Sequence, residues 1–175
     1  MARRIRVPLG FVFAVLYLWL AHPSWGSLAL GGAIALAGVA LRALASGHIS
    51  KDSELTTSGP YAYTRNPLYL GSVIIATGFA VAARSPWVVL AIVILFLAIY
   101  VPVIRSEEEF LRSRFPEFDA YARRVPRLLP RLTKKVTASG SFSRQRYLRH
   151  REYNALIGTA AMMAALAAKL LWPQG

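Results

Sequence analysis

Apolar runs at Val7–Ala21, Ser27–Ala45, Leu68–Ala83, Trp87–Ile104 and Asn154–Trp172 divide the chain into five candidate spans separated by polar segments. A helix crossing the roughly 30 Å hydrocarbon layer needs about 20 residues. The first and third runs, at about 15–16 residues, need flanking residues or a thinned bilayer to cross. Arg84-Ser85-Pro86 leaves room only for a tight hairpin, so the spans on either side are antiparallel neighbours. Gly31, Gly32, Ala35 and Gly38 on the second span, with Gly71 and Gly78 on the third, are small enough to let two helix backbones approach closely. The pattern predicts an all-α fold, a polytopic membrane helix bundle of about five transmembrane helices. It reads as two N-terminal helices (1–45), a core carrying a cytoplasmic segment (46–131), and a basic linker with a last helix (132–175).

Composition narrows the class. Of 175 residues 55% are hydrophobic and 17% charged, yet Lys and Arg number 21 against 8 Asp and Glu, for a net charge of +13. A mean hydropathy of +0.42 with a pI near 10.9 does not fit a soluble basic protein. Nucleic-acid binders reach this charge without runs of spanning length, so no nucleic-acid partner is expected. The apolar content excludes disorder, and the absence of cysteine excludes disulfides, a thiol nucleophile and a cysteine-ligated metal in the protein.

The charges are unevenly placed. Arg3, Arg4 and Arg6 precede the first span, the 46–67 loop balances Lys51 and Arg65 against Asp52 and Glu54, and most remaining cations fall within 105–153. This positive-inside pattern predicts an integral membrane protein, in a bacterial inner membrane, with a cytoplasmic N-terminus and the C-terminus outside. No small-x-small cleavage site follows the first span, so that span is expected to be retained. Arg42 and Lys169 lie near span ends, where they are expected to snorkel. Most of the positive charge is thereby accounted for by topology and lipid headgroups, which are the expected membrane partners.

Two segments are not accounted for in this way. In Gly59-Pro60-Tyr61-Ala62-Tyr63-Thr64-Arg65-Asn66-Pro67-Leu68-Tyr69-Leu70-Gly71, Asn66 is a predicted N-cap and Pro67 a first helical residue. The helix start they mark suits an anion, with Arg65 beside it; the competing view is a tyrosine belt with Arg65 anchored to headgroups. In Arg105-Ser106-Glu107-Glu108-Glu109-Phe110-Leu111-Arg112, three carboxylates stand beside a span on the basic face. Arg105/Glu109 and Glu108/Arg112 have the spacing of exposed helical ion pairs, which leaves Glu107 for a hydroxyl pair or an ammonium group. Beyond it, Phe118, Tyr121 and Val125 share one face of a short helix ending at Pro126, a flap against the bundle.

Together, Gly59-Pro60-Tyr61, Arg65-Asn66-Pro67-Leu68-Tyr69-Leu70-Gly71, Glu107-Glu108-Glu109-Phe110-Leu111 and Val125-Pro126-Arg127-Leu128-Leu129-Pro130 resemble the motifs of the isoprenylcysteine carboxyl methyltransferase and phospholipid methyltransferase superfamily. The resemblance covers about residues 46–131. It departs at Asn66 where eukaryotic members carry His, at Pro116 where the pattern has Gly, by one missing residue before Tyr121, and in an added 137–175 extension. It implies S-adenosylmethionine as cofactor, bound by Tyr61, Arg65, Asn66, Pro67, Tyr69, Gly71, Glu107, Glu108 and Tyr121. Tyrosine faces suit its sulfonium.

The methyl acceptor is left open between a prenylcysteine-type carboxylate, a phospholipid amine and a thiol. A carboxylate acceptor calls for a positioning cation, for which Arg105 is the candidate, whereas an amine or thiol calls for a base, for which Glu108 is the candidate. A steroid-reductase-like NADPH oxidoreductase and a non-catalytic membrane interaction protein are the alternatives. No metal site is expected: His22, His48 and His150 are scattered along the chain, and no Gly-rich phosphate loop is present.

Overall fold

The structure, a computed structural model, describes residues 13–49, 54–131 and 141–172. Arg3, Arg4 and Arg6, the start of the first span and residues 173–175 lie outside the described residues. The first helix, α1, is seen over 13–20. A turn at His22-Pro23 leads to Ser24, whose hydroxyl accepts from the Ser27 amide while the Ser27 hydroxyl accepts from the Ser24 amide. This reciprocal cap fixes the start of α2 (Trp25–His48).

Helix α3 (Pro67–Ala83) packs along α2 at two close approaches. A methyl group added at Gly38 would lie 2.7 Å from the Gly71 carbonyl oxygen, and one at Gly71 would lie 2.9 Å from that of Gly38. Gly31 and Gly78 meet in the same way one end further along. The small-residue expectation therefore holds at four of these glycines, while Gly32 faces open space. Helix α3 ends at Ala83 because Arg84 turns left-handed (φ 49°), and Pro86 restarts the chain as the hairpin the sequence predicts.

From Pro86 the backbone stays helical to Arg114, through α4 (Pro86–Leu95), a π-turn (Phe96–Tyr100) and α5 (Val101–Arg114). The π-turn has a local cause. Pro102 has no amide hydrogen to donate one turn back and its ring presses on the preceding turn. The backbone widens just before it, with the Val101 amide reaching the Phe96 carbonyl. The three acidic residues of 107–109 thus stand on the continuation of the fourth span, not on a separate segment.

Trp25–His48, Pro86–Arg114 and Tyr153–Leu171 (α8) are long and apolar enough to cross a membrane, and Pro67–Ala83 is a shorter apolar helix. They fit an integral membrane protein. Trp87, Leu90 and Ile94 along α4 and Leu97 in the π-turn are exposed, as a lipid-facing surface requires. No strand occurs among the described residues. The second, third and fifth candidate spans are helices with nearly their expected bounds, the fourth continues past Ile104 to Arg114, and the first begins outside the described residues.

The described part of the extension, residues 141–172, packs onto this bundle. Helix α6 (Phe118–Arg124) precedes it and α7 (Arg144–Arg149) opens it. Leu166 of α8 is buried with Tyr17, Ala21, Ala82, Ala83 and Val88. The Lys169 ammonium donates to the carbonyls of Leu18 (2.6 Å) and Ala21 (2.8 Å), neutralising the C-terminal end of α1.

Candidate functional site

At the opposite end of the bundle a cleft of about 430 Å³ opens between α2, the 54–66 loop, the start of α3, and α5 with α6. The loop reaches this place because it is laced to the chain after α6. The Arg65 amide donates to the Pro126 carbonyl (2.9 Å) and the Arg131 amide to the Tyr63 carbonyl (3.0 Å). The Tyr121 hydroxyl donates to the Tyr61 carbonyl (2.6 Å). Beneath lies an apolar cluster of Phe118, Tyr121 and Val125, with Leu55 and Leu111 packed against it. The expected flap is present and forms one wall.

Glu108 is the hub. It is 4% exposed. Its Oε1 accepts from Asn66 Nδ2 and pairs with Arg65 Nη2, both at 3.3 Å, and its Oε2 accepts from Arg127 Nε (2.9 Å) and Nη2 (2.7 Å). The exposed Glu108/Arg112 pair expected from spacing does not form. Arg112 binds Asp119 instead, at 2.9 Å, which raises its already high pKa further. Asn66 occupies the N-cap position, but its side chain does not cap α3; it donates to Glu108 and to the Arg127 carbonyl. Four contacts fill the lone pairs of the Glu108 carboxylate.

Arg65 is fixed from several sides. Besides Glu108 it stands over the Phe118 ring, 5.9 Å from the centroid, with Arg112 5.6 Å from the same centroid. Yet its Nε is buried and has no partner, and the same is true of the Tyr61 hydroxyl. Both residues line the cleft. Burial drives the Tyr61 pKa up, aided by Tyr121, Glu107 and Glu152 and opposed by Arg42. Tyr121 is also raised by burial, against the pull of Arg65.

The cleft thus gathers Tyr61, Arg65, Asn66, Tyr69, Glu107, Glu108 and Tyr121 from the sequence expectation. Pro67 starts α3 beneath them, and Gly71 belongs to the contact with α2. Arg105 is exposed on α5 and is not part of the cleft wall. Sequence reasoning missed Glu54 and Arg42, which line the cleft, and Arg127, which completes the Glu108 hub. Arg42 does not snorkel: its guanidinium turns inward to Glu152, the Leu68 carbonyl and Ser72. Among the described residues no group of three or more His, Cys, Asp or Glu side chains is placed to hold a metal ion.

Fold and cleft define a helical membrane protein with a polar, aromatic-walled pocket at one end of its bundle. The family model for phospholipid methyltransferases matches residues 38–117, within the superfamily whose motifs the sequence carries. The match runs from the middle of α2 through α5, and so takes in most of the cleft wall. Cobalt-zinc-cadmium resistance protein CzcN of Cupriavidus metallidurans is 42% identical over 83 residues, 47% of this chain and 38% of that protein. Nickel-cobalt-cadmium resistance protein NccN of Alcaligenes xylosoxydans xylosoxydans is 41% identical over 83 residues, 47% of this chain and 39% of that protein. The shared stretch is therefore less than half the length of either relative. No solved structure matches the chain.

Proposed function

We propose that this chain is an integral-membrane methyltransferase that uses S-adenosylmethionine and methylates a lipid-like or small acceptor. The observation that carries the reading is the pair of buried, unpartnered polar atoms, Arg65 Nε and Tyr61 Oη, in the wall of one cleft. A buried donor without a partner costs about 1–3 kcal/mol, so a site that holds two of them is suited to a polar ligand. The cofactor supplies an activated methyl group, and it offers groups matching those present. Arg65 and Tyr61 would donate to its carboxylate. Glu107 and Glu54 would accept from its ammonium group and ribose hydroxyls, and the faces of Tyr69, Tyr121 and Phe118 suit its rings and sulfonium.

In this reading Glu108 holds Arg65, Asn66 and Arg127 in place. Its filled coordination favours Glu107 over Glu108 as the carboxylate that meets an acceptor proton. Arg105, outside the cleft, is assigned to the headgroup zone. The Phe118 and Tyr121 rings of α6 in the cleft wall would help exclude water and align donor with acceptor. The cleft wall at Leu68 and Tyr69 belongs to an apolar helix, which suits an acceptor arriving from the bilayer. Charge placement supports a cytoplasmic position for this end of the bundle. If the relatives' role in metal resistance carries over, it would act here through methylation of a membrane component.

Calorimetry on the protein in nanodiscs tests the reading. S-adenosylmethionine is expected to bind the wild type, and Arg65→Ala or Glu107→Ala to weaken it at least tenfold. Absence of binding by the intact wild type, or binding of NADPH in its place, overturns the proposal.

A further inference from the structure

Arg42 stands two turns before the end of α2 and forms part of the cleft wall. Its Nη1 donates to the Leu68 carbonyl at 3.2 Å and to the Ser72 hydroxyl, which fastens it to α3. Its Nε and Nη2 donate to the two oxygens of Glu152 at 2.9 and 3.0 Å, a forked arrangement. Glu152 comes from the C-terminal extension, outside the family-matched stretch of 38–117 that contains Arg42. The pair is largely enclosed, with side-chain exposures of 23% and 13%.

Two further observations tie this pair to the cleft. Arg151, immediately before Glu152, has a left-handed backbone (φ 53°). A non-glycine residue keeps that conformation only where its surroundings enforce it, and here it sets the direction from which the chain delivers Glu152. Both charges of the pair also act on the unpartnered Tyr61 hydroxyl across the cleft, in opposite senses.

We propose that Glu152 is a positioning residue that holds Arg42 against α3 and cancels its charge, so that the cleft prefers the methyl donor, of net charge +1, to its net-neutral demethylated product. The extension is then a working part of the site. The inference rests on the methyltransferase reading. S-adenosylmethionine carries an ammonium, a sulfonium and a carboxylate, whereas S-adenosylhomocysteine has lost the sulfonium charge. An uncancelled guanidinium in the wall repels the first and leaves the second nearly unaffected. With Glu54 and Glu107 also lining the cleft, the pair's neutrality leaves carboxylates to set the local field in a chain of net charge +13.

The test measures both ligands by calorimetry on the full chain in nanodiscs, for wild type, Glu152→Gln and Arg42→Gln/Glu152→Gln. A unit charge roughly 10 Å from the ligand, at an effective dielectric of about 20, changes affinity by about tenfold or more. Glu152→Gln is expected to weaken S-adenosylmethionine by that factor and to leave S-adenosylhomocysteine within about twofold. The double variant, which removes both charges, is expected to recover the wild-type ratio of the two affinities. Equal loss of both ligands in Glu152→Gln, or a double variant whose ratio stays low, overturns the inference and reduces the pair to a structural brace. A wild type that binds neither ligand overturns the methyltransferase reading itself, which separates the two failures.

Discussion

Replacing Glu108 by Gln removes one charge from the hub of the cleft and keeps the side-chain shape. The Glu108 side chain is 5% exposed and meets Arg65, whose side chain is 12% exposed, and Arg127, whose side chain is 51% exposed. Removing one partner of a fully buried ion pair costs about 3–5 kcal/mol, because the other charge stays buried without compensation. That figure applies to the Arg65 side. The Arg127 side is half open to water and is worth no more than about 1 kcal/mol. Gln retains an oxygen to accept one donor, which offsets part of the loss, so the net destabilisation is about 2–4 kcal/mol. The thermal midpoint in detergent reads the global loss. Trypsin reads the local one, since release of the 125–131 segment exposes the bonds after Arg127 and Arg131. Glu109→Gln is the control: Glu109 is exposed one position along the same helix and is expected to change stability by less than about 0.5 kcal/mol. If Glu108→Gln costs no more than Glu109→Gln and tryptic cleavage after Arg127 is unchanged, the hub assignment is wrong.

Two further outcomes are expected. Gly38→Ala should destabilise by about 1–3 kcal/mol through its clash with the Gly71 carbonyl, while Gly32→Ala, facing open space, should be neutral or stabilise by up to about 1 kcal/mol; thermal melts of the pair check both. Tyr61 and Tyr121 have raised pKa values in the fold, while the unfolded chain ionises near the ordinary value of 10.0, so their neutral burial favours the fold fully below that pH. Stability should therefore fall as pH rises above about 10, and Tyr121→Phe should flatten that slope in melts between pH 8 and 11.

Most of the architecture was legible because spanning helices are written as long apolar runs. The Arg84-Ser85-Pro86 hairpin and the Pro67 helix start followed from backbone chemistry that few other residues permit. The cleft was legible at Tyr61, Arg65 and Asn66, which are adjacent to turn and cap signals, and at Glu107, one of three acids on a basic face. Three kinds of information were not. Arg42 and Glu152 are 110 residues apart, and nothing local marks an arginine near a span end as turned inward. Arg127 lay in a run of basic residues that orientation already accounted for, so its pairing with Glu108 had no separate signal. Glu108 was expected at the site, but its partner was not: helical spacing paired it with Arg112, because spacing ranks neighbours on one helix and is blind to a loop that folds back over it.

The unbroken helix from Pro86 to Arg114 has a consequence for where chemistry takes place. Its 29 residues measure roughly 43 Å, about 13 Å more than the hydrocarbon layer is thick. For an upright span that enters the hydrocarbon layer at Pro86, the excess would carry Glu107 and Glu108 clear of the lipid tails on a stalk whose height is a residue count. No hinge or loop conformation intervenes between the far hairpin and the carboxylates. Adding one residue below Glu107 would lift the acids by about 1.5 Å and swing them about 100° around the stalk, away from Arg65. The pocket's distance from the far hairpin is in this sense ruled off like the graduations on a dipstick, with the π-turn before Pro102 as a place where the scale is compressed.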